Sequence, residues 1–174
     1  MPVFLAMLIS VWATVLSWFD FRERRLPNWL TLGGAVAALC YRLFFGEPGS
    51  FLSGFVAACL AGVFLLIPFL LRGAGGGDVK MLFAAGAMVG WTGLLPMLVY
   101  MSLAGVAIGV VMLLWGSLDA SRLRHYFRCC FDWRYDRKAG KAALPPRESE
   151  QVRIPFALAI AIGMLAAYAW PLMR

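Results

Sequence analysis

Three features of this sequence predict an all-α membrane protein, a polytopic bundle of six transmembrane helices. The chain is 62% apolar with a mean hydropathy of +0.78, against about 45–50% apolar content for soluble domains. Its apolar residues gather into stretches long enough to cross a bilayer. Its basic residues fall between those stretches in an uneven pattern. At 174 residues the chain makes one domain, 1–174, with no room for a separate soluble one.

The spans follow in order. Residues 3–19 are apolar apart from Ser10, Thr14 and Ser17, and 29–45, 51–71 and 154–173 are the other plain stretches. Each is close to the ~17–25 residues of a membrane-crossing helix. Arg42 lies near enough to the end of its span to snorkel to the interface. Residues 81–118 are too long for one helix, which would reach about 57 Å. Gly90-Trp91-Thr92-Gly93 and Pro96 supply a break. Dividing there gives a short helix over about 78–90 and a longer one over about 94–116.

Charge agrees with six spans. The loops 20–28, 72–80 and 118–153 then share one side and hold 14 of the 16 Lys and Arg residues, leaving Arg42 and Arg174 opposite. A single span over 81–118 would put the most basic loop across the membrane from Arg22, Arg24 and Arg25, against the positive-inside rule. The three loops are therefore expected in the cytoplasm, with both termini on the other side. A net charge of +7 spread this way suits anionic headgroups and not nucleic acid. Residues 1–19 lack the leading positive charge of a signal peptide, so a retained first helix is expected.

Two acids stand out against this background. Asp20 follows the first apolar stretch, and Asp78 closes the run Gly73-Ala74-Gly75-Gly76-Gly77-Asp78. An ionisable group at membrane depth costs roughly 2.5–3.5 kcal/mol and marks a functional site by default. Under the six-span topology both acids lie at the cytoplasmic boundary. Two neighbouring carboxylates share a proton, so one can activate water while the other polarises a carbonyl. Their two titration steps belong to the pair. Structural roles are open to each: Asp20 as the first solvated residue beside Arg22 or Arg24, Asp78 as the N-cap of the fourth helix.

These residues carry a resemblance. Gly75-Gly76-Gly77-Asp78-Val79-Lys80 resembles the Gly-x-Gly-Asp signature of the type IV prepilin peptidases, which are membrane aspartyl proteases. The segment from Asp20 to Thr31, with Arg22, Arg24, Arg25, Pro27 and Asn28, is similar to that family's first-aspartate segment. The segment from Arg153 to Gly163 is similar to its last helix. The resemblance implies an endopeptidase that removes the short basic leader of a prepilin at the cytoplasmic face of the inner membrane. Asp20 and Asp78 would be its catalytic pair. Gly75 and Gly77 would let the loop approach closely, and Lys80 and Asn28 would support it. Pro155 would help to shape a groove.

Longer family members carry paired Cys-x-x-Cys motifs that bind zinc, together with a methyltransferase activity. Here the cysteines are Cys40, Cys59, Cys129 and Cys130, which is no structural zinc spacing. Neither metal, cofactor nor methyltransferase activity is therefore expected. The compact form is similar to the peptidases of tight-adherence (Flp) pili and preflagellins. Within the basic loop, residues 121–135 read either as an interfacial amphipathic helix or as a solvated segment, and His125 as an interfacial side chain. Two other classes also fit membrane acids: a proton- or cation-coupled transporter, and a non-catalytic pilus-assembly subunit.

Overall fold

The computed structural model describes residues 3–23, 26–70, 74–115 and 156–169. Six helices lie among these residues: α1 (Val3–Glu23), α2 (Asn28–Phe45), α3 (Ser50–Leu70), α4 (Gly76–Val89), α5 (Trp91–Leu114) and α6 (Phe156–Ala169). The expectations for 121–135, His125, Cys129, Cys130 and Pro155 lie outside the described residues.

Local chemistry sets most of the helix ends. Pro27 is extended, with ψ 127°, and its carbonyl accepts from the amides of Leu30 and Thr31 at 3.1 Å each. That starts α2. Before α3, Gly49 takes a φ of +83°, a region that glycine enters without a Cβ penalty. The Ser50 amide donates to the Glu47 carbonyl at 2.9 Å to close the turn. The joint between α4 and α5 is the single residue Gly90, at φ +77°. Its amide donates to the Gly86 carbonyl at 2.9 Å.

Two boundaries differ from the sequence expectation. The first helix does not stop at residue 19 but continues through Asp20 to Glu23. Hydropathy falls at Asp20, yet nothing there breaks a backbone hydrogen bond, and the next breaker is Pro27. Pro96, expected to take part in the break, lies inside α5 instead. Gly90 alone turns the chain.

α4 is the hub of the bundle. It packs most extensively on α3, then on α2, α6 and α5, while α5 lies along α6. The contacts are built from small residues. Ala57, Ala58, Ala61 and Gly62 of α3 and Ala84, Ala85, Gly86 and Ala87 of α4 are all buried. A Cβ on Gly86 would come within 2.7 Å of the Ala57 carbonyl oxygen, and one on Gly163 within 2.6 Å of the Met97 carbonyl oxygen. Small residues at these crossings let helix backbones approach, as in packing within membranes.

Many of the large apolar side chains point outward. Val11, Trp18, Phe44, Ile67, Leu95 and Leu103 are among many that are exposed. A water-soluble helical bundle would bury such residues in its core. By length and composition α3 and α5 are able to cross a membrane, and α6 is a shorter apolar helix.

Candidate active site

The end of the bundle where α1 finishes and α2 and α4 begin holds Asp20, Asn28, Gly75, Gly77, Asp78 and Lys80. Four residues separate Glu23 from Asn28, a reach of at most about 17 Å. The C-terminal end of α1 and the N-terminal end of α2 must therefore lie together. α4 is tied to the same end by its own first turn. The Lys80 ammonium donates to the side-chain oxygen of Asn28 at 2.9 Å. Asp20, half-buried in the last turn of α1, and Asp78, in the first turn of α4, thus occupy one end of the bundle on different helices.

Asp78 is buried, at 8% exposure. It is not the N-cap of α4. Gly75 holds that position with an extended backbone, and Asp78 is the third helical residue. Its Oδ2 accepts a hydrogen bond from the Gly75 amide at 2.9 Å. This is the reach-back arm of a capping box, without the arm a serine or threonine N-cap would supply. The bond fixes the carboxylate close to the helix N-terminus, where unpaired amides favour negative charge.

The glycines around it act through space and not through unusual torsions. Gly75 has a φ of −83°, open to other residues. A Cβ on Gly77 would sit 3.1 Å from the Leu26 Cβ, and one on Gly76 would sit 3.5 Å from the Phe69 ring. Gly77 thus brings α4 close to the link between α1 and α2. Sequence reasoning missed Leu26, an unmarked leucine beside a proline.

Trp12 secures α1 to α2 by donating its indole N–H to the Leu30 carbonyl at 2.9 Å. A groove of about 560 Å³ runs between these helices, lined by Leu8, Ile9, Trp12, Trp29, Gly33 and Tyr41 and reaching Arg42. Arg42 lies in the last turn of α2, beside the start of α3 and the end of α4. Its guanidinium turns into the bundle, with Nε donating to the Ala87 carbonyl and NH2 to the Met88 carbonyl, each at 2.8 Å. Arginine in an apolar span costs least where it finds carbonyls, and the end of α4 offers two.

An all-helical bundle with an apolar exterior and two acids at one end is the setting in which the comparisons with known proteins fall. The chain belongs to the type IV leader peptidase family, whose model matches residues 7–110. That stretch contains Asp20, Asn28, Gly75, Gly77, Asp78 and Lys80. The chain is similar to the prepilin leader peptidase/N-methyltransferases of Burkholderia pseudomallei strains 1026b and K96243. Each is 33% identical over 103 residues, covering 55% of this chain and 33% of the relative. The chain thus spans about a third of the length of these curated relatives. No solved structure matches it.

Proposed function

We propose that this protein is a prepilin leader peptidase, an aspartyl endopeptidase that uses Asp20 and Asp78 as its catalytic pair. The observation that carries the reading is the placement of Asp78. It is a buried carboxylate held by the Gly75 amide, at the bundle end where α1 brings Asp20. The family match covers both acids. One carboxylate, ionised, takes a proton from water. The other, protonated, donates to the peptide carbonyl oxygen as the tetrahedral intermediate forms. Collapse of that intermediate returns a proton to the leaving amine and completes hydrolysis. Neither a metal nor a cofactor is needed for these steps.

In this reading the chain crosses the inner membrane six times, with both termini outside and the acid end at the cytoplasmic face. The exposed apolar side chains of α1, α2, α3 and α5 then meet lipid. The basic residues of the cytoplasmic loops meet anionic headgroups. The substrate is a prepilin or prepilin-like protein with a short basic leader before a hydrophobic helix. Its scissile bond lies at the boundary depth of the acids. Gly77 and Gly75 admit the close approach of backbone, and the Lys80–Asn28 bond supports α4. We assign this chain the peptidase activity alone, without methyl transfer.

The test is cleavage of a co-expressed Flp-type prepilin by wild type, Asp20→Asn and Asp78→Asn, read as a gel mobility shift. Processing by wild type alone is expected. Processing that persists in either variant refutes the aspartyl mechanism.

A further inference from the structure

We propose that Arg42 is a positioning residue for Asp78, acting from the opposite end of α4. The inference rests on the reading of Asp78 as a catalytic residue.

A helix of 14 residues is about 21 Å long. It moves largely as a rod, so whatever fixes its far end also fixes the depth of its first turn. The last four carbonyls of a helix lack intrahelical partners. In α4 those are the carbonyls of Gly86, Ala87, Met88 and Val89. The Gly90 amide takes the first at 2.9 Å, and Arg42 takes the next two at 2.8 Å each. The guanidinium charge also faces the negative end of the helix dipole. On its other side, NH1 donates to the Ser50 hydroxyl at 3.1 Å and to the Ser50 carbonyl at 3.3 Å. One side chain of α2 therefore joins the start of α3 to the end of α4.

Two glycines make room for it. A Cβ on Gly54 would lie 2.6 Å from Arg42 Cδ, and a Cβ on Gly90 would lie 2.6 Å from Arg42 NH2. The joint is tightened by the Trp91 amide, which donates to the Ser53 hydroxyl at 3.0 Å. At the other end α2 holds α4 again, through Asn28 and Lys80, but that bond is exposed. α2 and α4 thus run parallel and are pinned twice, and the inner pin is Arg42. Removing it frees α4 to slide or tilt against α2, and the displacement is felt at Asp78.

The experiment uses the full chain in detergent or nanodiscs, with Arg42→Gln, Arg42→Lys and Gly54→Ala. The last crowds the guanidinium stem at 2.6 Å and, less tightly, the Ala87 carbonyl at 3.1 Å, and leaves every charge in place. Two readouts are taken: steady-state cleavage of prepilin, and amide hydrogen exchange resolved along α4. The expected result for Arg42→Gln is a kcat lowered about 10–100-fold, the range a misplacement near 1 Å produces, with KM within about twofold. Lysine restores part of the loss, and Gly54→Ala shows a smaller loss of the same kind. Exchange rises over residues 76–80 as well as over 86–91. Faster exchange confined to 86–91, with wild-type kcat, overturns the proposal. Should Arg42→Gln fail to fold, Arg42→Lys and Gly54→Ala decide by the same criteria. Asp78→Asn is assayed alongside. If it still cleaves, the catalytic reading of Asp78 falls, while the exchange data still report whether Arg42 orders the first turn of α4.

Discussion

Lys80 donates to Asn28 at 2.9 Å across 52 positions of sequence, fastening the first turn of α4 to the first turn of α2. Both residues stand beside the acids in the chain, Asn28 eight positions after Asp20 and Lys80 two after Asp78. The bond therefore ties the helix that carries Asp78 to the helix that follows the one carrying Asp20.

Because the bond is exposed, its contribution to stability is small, about 0.5–1 kcal/mol. Asn28→Ala, Lys80→Met and the double variant, compared by thermal unfolding in one detergent, are expected to show destabilisations that do not add. The double variant should lose only slightly more than either single one. Strict additivity means that the contact links nothing energetically. Cleavage is expected to fall several-fold in each single variant.

Replacing Asp78 in two ways separates its capping contact from the catalytic role proposed for it. Asn keeps an oxygen for the Gly75 amide, whereas Ala leaves that donor unpaired. Asp78→Ala is expected to cost about 0.5–1 kcal/mol more than Asp78→Asn, while neither variant cleaves. Retained cleavage by the asparagine variant limits the residue to capping.

The glycines divide into two groups. At Gly86 a methyl group would strike the backbone of Ala57 and Ala58, which has no room to give. Gly86→Ala is expected to destabilise the bundle by about 1–3 kcal/mol. At Gly77 the methyl would meet only the Leu26 side chain, at 3.1 Å, and Gly77→Ala is expected to stay within about 0.5 kcal/mol of wild type. A large drop in unfolding temperature for Gly77→Ala contradicts this. An activity loss at unchanged stability points to the space a substrate backbone occupies.

Tyr168, on α6, has a buried hydroxyl with no hydrogen-bond partner among the described residues. Tyr168→Phe removes an unsatisfied polar group and keeps the ring. The unfolding temperature is expected to hold or rise, since such groups cost about 1–3 kcal/mol when left unpaired. A clear fall in stability reveals a partner for that hydroxyl in the folded protein.

Much of this arrangement is written locally. The break near Gly90 was legible because glycine, tryptophan and a nearby proline interrupt a uniformly apolar run, although Gly90 acts there and Pro96 does not. Asp78 drew attention because an acid is costly in apolar surroundings, and the structure adds that it is buried. The extent of α1 was misread because hydropathy changes at Asp20 while the hydrogen-bond ladder continues to Glu23. What Arg42 bonds to was hidden for a different reason. Its partners Ala87 and Met88 lie 45 and 46 residues away, and a rule drawn from distance to a helix end has no knowledge of them. The spaces at Gly54 and Gly77 are likewise set by residues on other segments.

The contrast between a core rich in alanine, with only a few larger side chains such as Leu16, Leu65, Met81 and Ile160, and an exterior rich in leucine, valine and phenylalanine bears on the calorimetry of this protein. In a bilayer, separating the helices moves apolar side chains from protein contacts to lipid chains and brings little of them into water. The heat-capacity increment that bends the stability curve of a soluble domain comes from hydrating such surface. With that source nearly absent in a bilayer, stability is expected to vary close to linearly with temperature. Cooling is then not expected to weaken the assembly, because in lipid the fit between helix backbones, and not water exclusion, holds helices together.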